Sequence, residues 1–258
     1  MITGAASGIG LATAQLLYER GASIALVDID QDLGRQALTS LGADAHHHRA
    51  AFFCADLSQP EEAEAVVHLA AQKLGRLNAL INSAGVQRYG NAEETSLELW
   101  QQVLAVNLTA AFLTARAAVP YFRQHPGGGA IVNVGSVQSH AAQRGAVAYV
   151  TSKHALLGLT RAMAVDYAHE RIRVNCVCPG TIDTPMFRAT AAMAPDPASI
   201  VEACERMHPP GASPNREKVA ETIAFLVSDA ASFITGTAID VDGGLLALIG
   251  GSPKESTK

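Results

Sequence analysis

Thr3-Gly4-Ala5-Ala6-Ser7-Gly8-Ile9-Gly10 is the stretch whose reading decides the fold. Three glycines crowd into one turn, and apolar residues then recur at Ile9, Ala12, Leu16 and Leu17, a helical spacing. A glycine-rich turn that feeds a helix lets backbone N–H groups approach a pyrophosphate, and the helix dipole favours its charge. Asp28 stands eighteen residues after Gly10, at the end of a short apolar run over 24–27. A carboxylate there can bind the hydroxyls of an adenosine ribose and would repel a 2′-phosphate. No Arg or Lys in the turn offsets that repulsion, so the pattern predicts NAD rather than NADP. Asp30 is the better placed residue to cap the helix that follows.

Outward from this turn, short apolar runs alternate with helical patterns. Strands are predicted at 24–27, 51–55, 77–81, 130–134, 172–177 and 238–241. Helices are predicted up to about residue 41 and over 61–74, 97–122, 148–168 and 219–226. Such alternation predicts an α/β fold: a Rossmann-type, doubly wound parallel sheet with helices on both faces. Only Met1 and Ile2 precede Thr3. Residues 1–250 read as one dinucleotide-binding and catalytic domain, with a polar tail over 251–258. The Pro-rich stretch 185–214 reads as an irregular insertion with one or two helices, placed to form a lid.

A chain of 258 residues that is 48% apolar and 17% charged suits one large core. A net charge of −5 without a long basic run argues against non-specific nucleic-acid binding. No uninterrupted apolar run reaches ~18 residues and no secretory pattern opens the chain, so a cytoplasmic protein without a membrane span is expected. Cys54, Cys176, Cys178 and Cys204 read as buried reduced thiols, and His46-His47-His48 as a solvated loop. No metal site is expected.

Ser136, Tyr149 and Lys153 carry the chemistry. Tyr149 and Lys153, at i and i+4, share one helix face. A free tyrosine, with a pKa of ~10, is a poor base at neutral pH; a nearby ammonium favours the phenolate. Tyr149 is therefore the candidate general acid/base, with Ser136 hydrogen-bonding the substrate oxygen. Asp56 and Asn82-Ser83-Ala84-Gly85 close two strands at carboxyl ends, where open α/β sheets bind ligands. Alone, each of these features is common; their coincidence with the glycine turn is not.

In these motifs the chain resembles the short-chain dehydrogenase/reductase family, from Thr3 to about Gly244. The resemblance implies a cofactor turn at Gly4, Ser7, Gly8, Ile9 and Gly10, with Asp28 as the NAD-selecting acid. It implies adenine contact at Asp56 with Leu57 beside it, further cofactor contacts at Asn82, Ala84 and Gly85, and a nicotinamide-holding segment over Pro179, Gly180, Ile182 and Thr184. It implies a catalytic tetrad of Asn107, Ser136, Tyr149 and Lys153, with Asn107 ordering a water that leads to Lys153. Lys153 also holds the nicotinamide ribose. A homotetramer is the family's common assembly. Serine as the second residue of the Asn82–Gly85 motif is a mild substitution. Two departures stand out: the family has a central strand before the glycine turn, where this chain has only Met1 and Ile2, so the first strand reads as truncated and a native start upstream of Met1 is expected; and over 209–218 the chain has Ala212 and Pro214 where the family often has Arg and Gly. The loop residues Gln87, Gln138, His140 and Arg144 form a polar set that suggests a small hydroxylated substrate, a sugar, polyol or hydroxy acid. A 3-oxoacyl or general carbonyl reductase is the alternative, and a cofactor-sensing protein without turnover a remote one.

Overall fold

The computed structural model describes residues 1–42, 49–212 and 214–249. The His46-His47-His48 run and the tail 251–258 lie outside them. Seven strands form one parallel sheet in the order β3-β2-β1-β4-β5-β6-β7. They are β1 (Ile2–Thr3), β2 (Ile24–Asp28), β3 (Ala50–Cys54), β4 (Ala79–Asn82), β5 (Gly129–Val134), β6 (Ile172–Pro179) and β7 (Ala238–Val241). The predicted strands 51–55 and 77–81 sit one or two residues away from β3 and β4, and β6 runs two residues past its predicted end.

The helices are α1 (Gly8–Glu19), α2 (Gln31–Ser40), α3 (Pro60–Leu74), α4 (Leu97–Leu104), α5 (Ala110–Phe122), α6 (Val147–Tyr167), α7 (Pro185–Ala191), α8 (Pro197–Met207) and α9 (Arg216–Val227). Asp30 caps α2, accepting the N–H groups of Asp32 and Leu33. The helix predicted over 97–122 is interrupted by a π-turn, Ala105–Thr109, that joins α4 to α5. By length and composition Leu97–Phe122 is apolar enough to cross a membrane. Yet 56% of its most apolar window is buried, Phe122 fully, and α5 packs on α3 and on the sheet, the setting of a core helix. The Pro-rich insertion holds the two helices α7 and α8.

Why both faces are covered follows from the alternation of side chains along each strand. Ala25, Val27, Leu80 and Ile131 join one core with Val66, Val67 and Phe122 of the α3 and α5 layer. Their neighbours Leu26, Ile81 and Val132 point the other way, into a core with Ala14, Ile223 and Leu226 of α1 and α9. Each strand residue thus chooses a layer by its parity.

The two residues left for β1 pair on both sides. Ile2 is in register with Leu26 and Ile81, and Thr3 with Val27 and Asn82. Ile2 is fully buried. Thr3 Oγ1 accepts the backbone N–H groups of Ser83 and Ala84, at 3.0 and 3.1 Å. One hydroxyl therefore fastens the start of the glycine turn to the end of β4. Replacing Thr3 with Val keeps the shape and strands both donors, so stability measured by urea unfolding should fall by about 2 kcal/mol or more. A loss below about 0.5 kcal/mol would show that the hydroxyl is not the fastening.

Candidate active site

The carboxyl ends of the strands open onto a cleft of about 900 Å³. Gly4, Ser7, Gly8, Ile9 and Gly10 line one end of it. Here the glycines are required by space. A Cβ on Gly10 would lie 2.1 Å from the Gly4 carbonyl oxygen, and one on Gly4 would lie 2.8 Å from the Ala84 backbone. Gly4 and Gly8 also have φ of 63° and 55°, a region L side chains rarely adopt. No side chain caps α1 at Ser7, so its first amides are left for a ligand. This cradle fits the pyrophosphate of a dinucleotide.

Asp28 closes the same end. Its Oδ2 accepts the Ala6 N–H at 3.0 Å and its Oδ1 the Asp30 N–H at 3.2 Å, which ties the carboxylate to the turn it faces. Asp56 and Leu57 line the adjoining wall. Hydrogen bonds from Ser58 hold the Asp56 carboxyl below the usual range. Ala84 and Gly85 line the wall, whereas Asn82 does not. Asn82 is turned inward: its Nδ2 donates to Asn133 Oδ1 at 3.0 Å, and its Oδ1 accepts the Thr114 hydroxyl at 2.9 Å. Its side chain thus ties β4 to β5 and α5 and does not point into the cleft.

Pro179, Gly180, Ile182 and Thr184 line the middle of the cleft. Thr184 also caps α7 by accepting the Phe187 N–H. Beneath this segment lies His208, 1% exposed. Its Nδ1–H donates to the Cys204 carbonyl at 2.8 Å, so Nε2 is the acceptor for the Thr181 N–H at 3.2 Å. The ring thereby joins the end of α8 to the segment beside the expected nicotinamide. No periodicity or motif in the sequence singled out His208; only Pro209 and Pro210 after it mark a helix end.

Ser136, Tyr149 and Lys153 all line the cleft. Ser136 lies two residues past the end of β5, and its Oγ accepts the Gln138 N–H, closing the short turn Val137–Ser139. Tyr149 and Lys153 share the inward face of α6, and the Lys153 Nζ lies 5.5 Å from the centre of the Tyr149 ring. Lys153 donates to the Val134 carbonyl at 2.7 Å. The expected lowering of the tyrosine by this ammonium is not what the chain alone does. Burial pushes the Tyr149 phenol up to about 12, against the lowering effect of a hydrogen bond with Ser136. Burial also pulls the Lys153 ammonium down to about 8. Desolvation outweighs attraction, because both groups are shut away from water. Asn107 sits in the π-turn, 2% exposed and off the cleft wall. Its Oδ1 accepts the Val86 N–H, and its Nδ2 donates to the Val86 carbonyl and to Ser152 Oγ. It braces the strand-end loop beside Lys153.

Gln87 and Gln138 line the far end, and His140 and Arg144 do not. His140 turns instead toward Asp240, its Nε2 3.4 Å from Oδ1, and Arg144 is exposed at the surface. Gln87 donates to the Tyr89 hydroxyl, and Gln87 and Gln138 both donate to Gln143 Oε1. Gln138 Oε1 is buried and has no partner among the described residues. The lid side is apolar, with Met186, Phe187, Ile200 and Met207. Of the thiols expected to be buried, Cys176 and Cys178 are, Cys204 is half-buried and Cys54 is exposed.

Residues 4–246 match the family profile described as enoyl-(acyl carrier protein) reductase. The chain is 39% identical over 251 residues to an uncharacterized oxidoreductase of Thermotoga maritima, covering 96% of this chain and 97% of that one. It is 38% identical over 247 residues to a cyclohexanol dehydrogenase of an Acinetobacter species, covering 94% and 92%. Among solved structures, the ligand-free aldohexose dehydrogenase of Thermoplasma acidophilum superposes with a TM-score of 0.88 at 34% identity, covering 98% of this chain and 96% of that one.

Two expectations follow. The tyrosinate absorbance lost in Tyr149→Phe should titrate near 12 in the chain alone and at lower pH with NAD⁺ bound, since a positive ring nearby favours the phenolate; no downward movement would refute this. His208→Leu leaves the Thr181 N–H and the Cys204 carbonyl unpaired, so the Kd for NADH, read by its fluorescence, should rise several-fold, by ~3-fold or more. An unchanged Kd would show that His208 does not position that segment.

Proposed function

The chain belongs to the short-chain dehydrogenase/reductase family, oxidoreductases that act on CH–OH groups with a nicotinamide cofactor, and we propose that it is an NAD-dependent dehydrogenase of a hydroxylated secondary alcohol. The observation that carries the reading is one cleft holding Ser136, Tyr149 and Lys153 at its middle and the glycine turn with Asp28 at its end. A bound nicotinamide supplies the acceptor for the hydride that leaves the carbinol carbon. The chain's own residues manage the proton and the position.

Tyr149 Oη takes the proton of the substrate hydroxyl as the ketone forms, and returns it in reduction. The Ser136 hydroxyl hydrogen-bonds the same oxygen and stabilises charge developing there. Lys153, freed from the Val134 carbonyl, holds the nicotinamide ribose and passes the proton onward, and Asn107 keeps the adjoining loop in place for the water that relays it. Burial makes Tyr149 a reluctant acid in the chain alone, so its ionisation is tied to occupation of the cleft by positive charge. Asp28 favours NAD, because its carboxylate sits where a 2′-phosphate would bring two more negative charges.

The substrate is a sugar, a polyol or a hydroxy acid with an apolar side. The Gln87 and Gln138 amides on the cleft wall support this reading, since such groups hydrogen-bond hydroxyls. The apolar lid supports a ring face on the other side and favours one further reading, a carbonyl reductase for less polar ketones. Initial rates with NAD⁺ and NADP⁺ over sugars, polyols, hydroxy acids, cyclic alcohols and hydroxyacyl thioesters separate the two. Turnover with NAD⁺ on a hydroxylated alcohol is expected, falling by ~10²–10⁴ in Tyr149→Phe. Asp28→Asn should narrow the preference for NAD⁺ by ~10-fold. Turnover confined to thioesters with NADPH would overturn the reading.

A further inference from the structure

Outside the cleft, His140, Cys178 and Asp240 come together from three separate elements. Cys178 lies on β6, and Asp240 is its register partner on β7. His140 follows the short turn that Ser136 begins. Their ligand atoms, one imidazole nitrogen, one sulfur and one carboxylate oxygen, all lie within 4.8 Å of one another. Among the described residues no other group of three such side chains converges this way. None of the three lines the cleft.

We propose that His140, Cys178 and Asp240 form a zinc site beside the catalytic turn. The His140 Nε2 to Asp240 Oδ1 distance is 3.4 Å. A tetrahedral ion with N and O ligands at about 2.0–2.1 Å holds them about 3.3–3.4 Å apart, so this edge of the site is already at its bound length. Among the described residues the charged partner of the Asp240 carboxylate is His140 itself. Cys178 is fully buried and supplies the sulfur from the sheet side, while the His140 and Asp240 side chains are 31% and 41% exposed and open the fourth position to water. One thiolate, one imidazole and one carboxylate suit Zn²⁺ rather than Mg²⁺ or Ca²⁺, which take oxygen ligands. Binding displaces the Cys178 proton to solvent. The ion fastens the turn that carries Ser136 to β6 and to the edge strand β7.

Two thiols stood out in the sequence, but only as a pair on one strand. The partners that complete the site lie 38 residues before Cys178 and 62 after it. Chelator-treated full-length protein is dialysed against Zn²⁺, and against Co²⁺ for spectroscopy. One equivalent per chain is expected, with a thiolate-to-cobalt charge-transfer band in the near ultraviolet. Cys178→Ser should abolish the band, and the exposed substitution His140→Asn should weaken binding by roughly 100-fold. A variant with His46, His47 and His48 all replaced by Asn should keep the full equivalent. The proposal fails if no stoichiometric uptake occurs, if both single variants bind as the parent does, or if the triple variant loses the ion.

Discussion

The backbone of Gly4 lies against the backbone of Ala84 so closely that no side chain fits between them; a Cβ would stand 2.8 Å away. That contact sets the position of everything at the carboxyl edge of the sheet. It is held by the Thr3 hydroxyl, which takes two N–H groups from the end of β4. With the turn seated there, α1 starts at the cleft with its first amides free of side-chain caps. Asp28 then grips the turn from β2 through the Ala6 N–H. Both residues of β1 are paired on either side, and Thr3 is fastened further at its hydroxyl.

A second constraint works at the catalytic end. Tyr149 and Lys153 are both buried, and burial opposes the charged form of each. The chain meets this by giving Lys153 a carbonyl, that of Val134, and Tyr149 a serine. The polar groups behind them are satisfied in chains. Asn82, Asn133, Thr114 and Thr160 link β4, β5, α5 and α6, and Asn107 with Ser152 links the π-turn to α6. Such networks fix one arrangement of sheet and helices, because any other leaves buried amides unpaired. The π-turn is part of the same logic: an extra residue in the helix swings Asn107 to the loop at Val86.

Much of this was legible from local pattern. Parity along the strands and the alternation of strand with helix are local properties, so the doubly wound sheet followed from them. Asp30 as the cap of α2 and the shared face of Tyr149 and Lys153 followed from spacing alone. Asn82 did not: a motif names a residue type at a strand end and says nothing of which way its amide turns. His140 and Arg144 sit in a loop that passes the cleft, yet only Gln87 and Gln138 reach its wall. Loop direction depends on contacts between segments distant in sequence, here Gly90 bridging to Ala146 and His140 facing Asp240.

Fold class and the position of the glycine turn were legible in the chain itself, because they rest on periodicity and on spacings of a few residues. The tertiary structure decided the charges, the orientation and the partners of the side chains. Burial raises the Tyr149 phenol where the Lys153 spacing predicts a lowering, since burial is set by the whole core and not by a neighbour four residues away. The tertiary structure brought His208 under Thr181, and Cys178 to His140 and Asp240, since such meetings depend on where strands and the lid helix end in space.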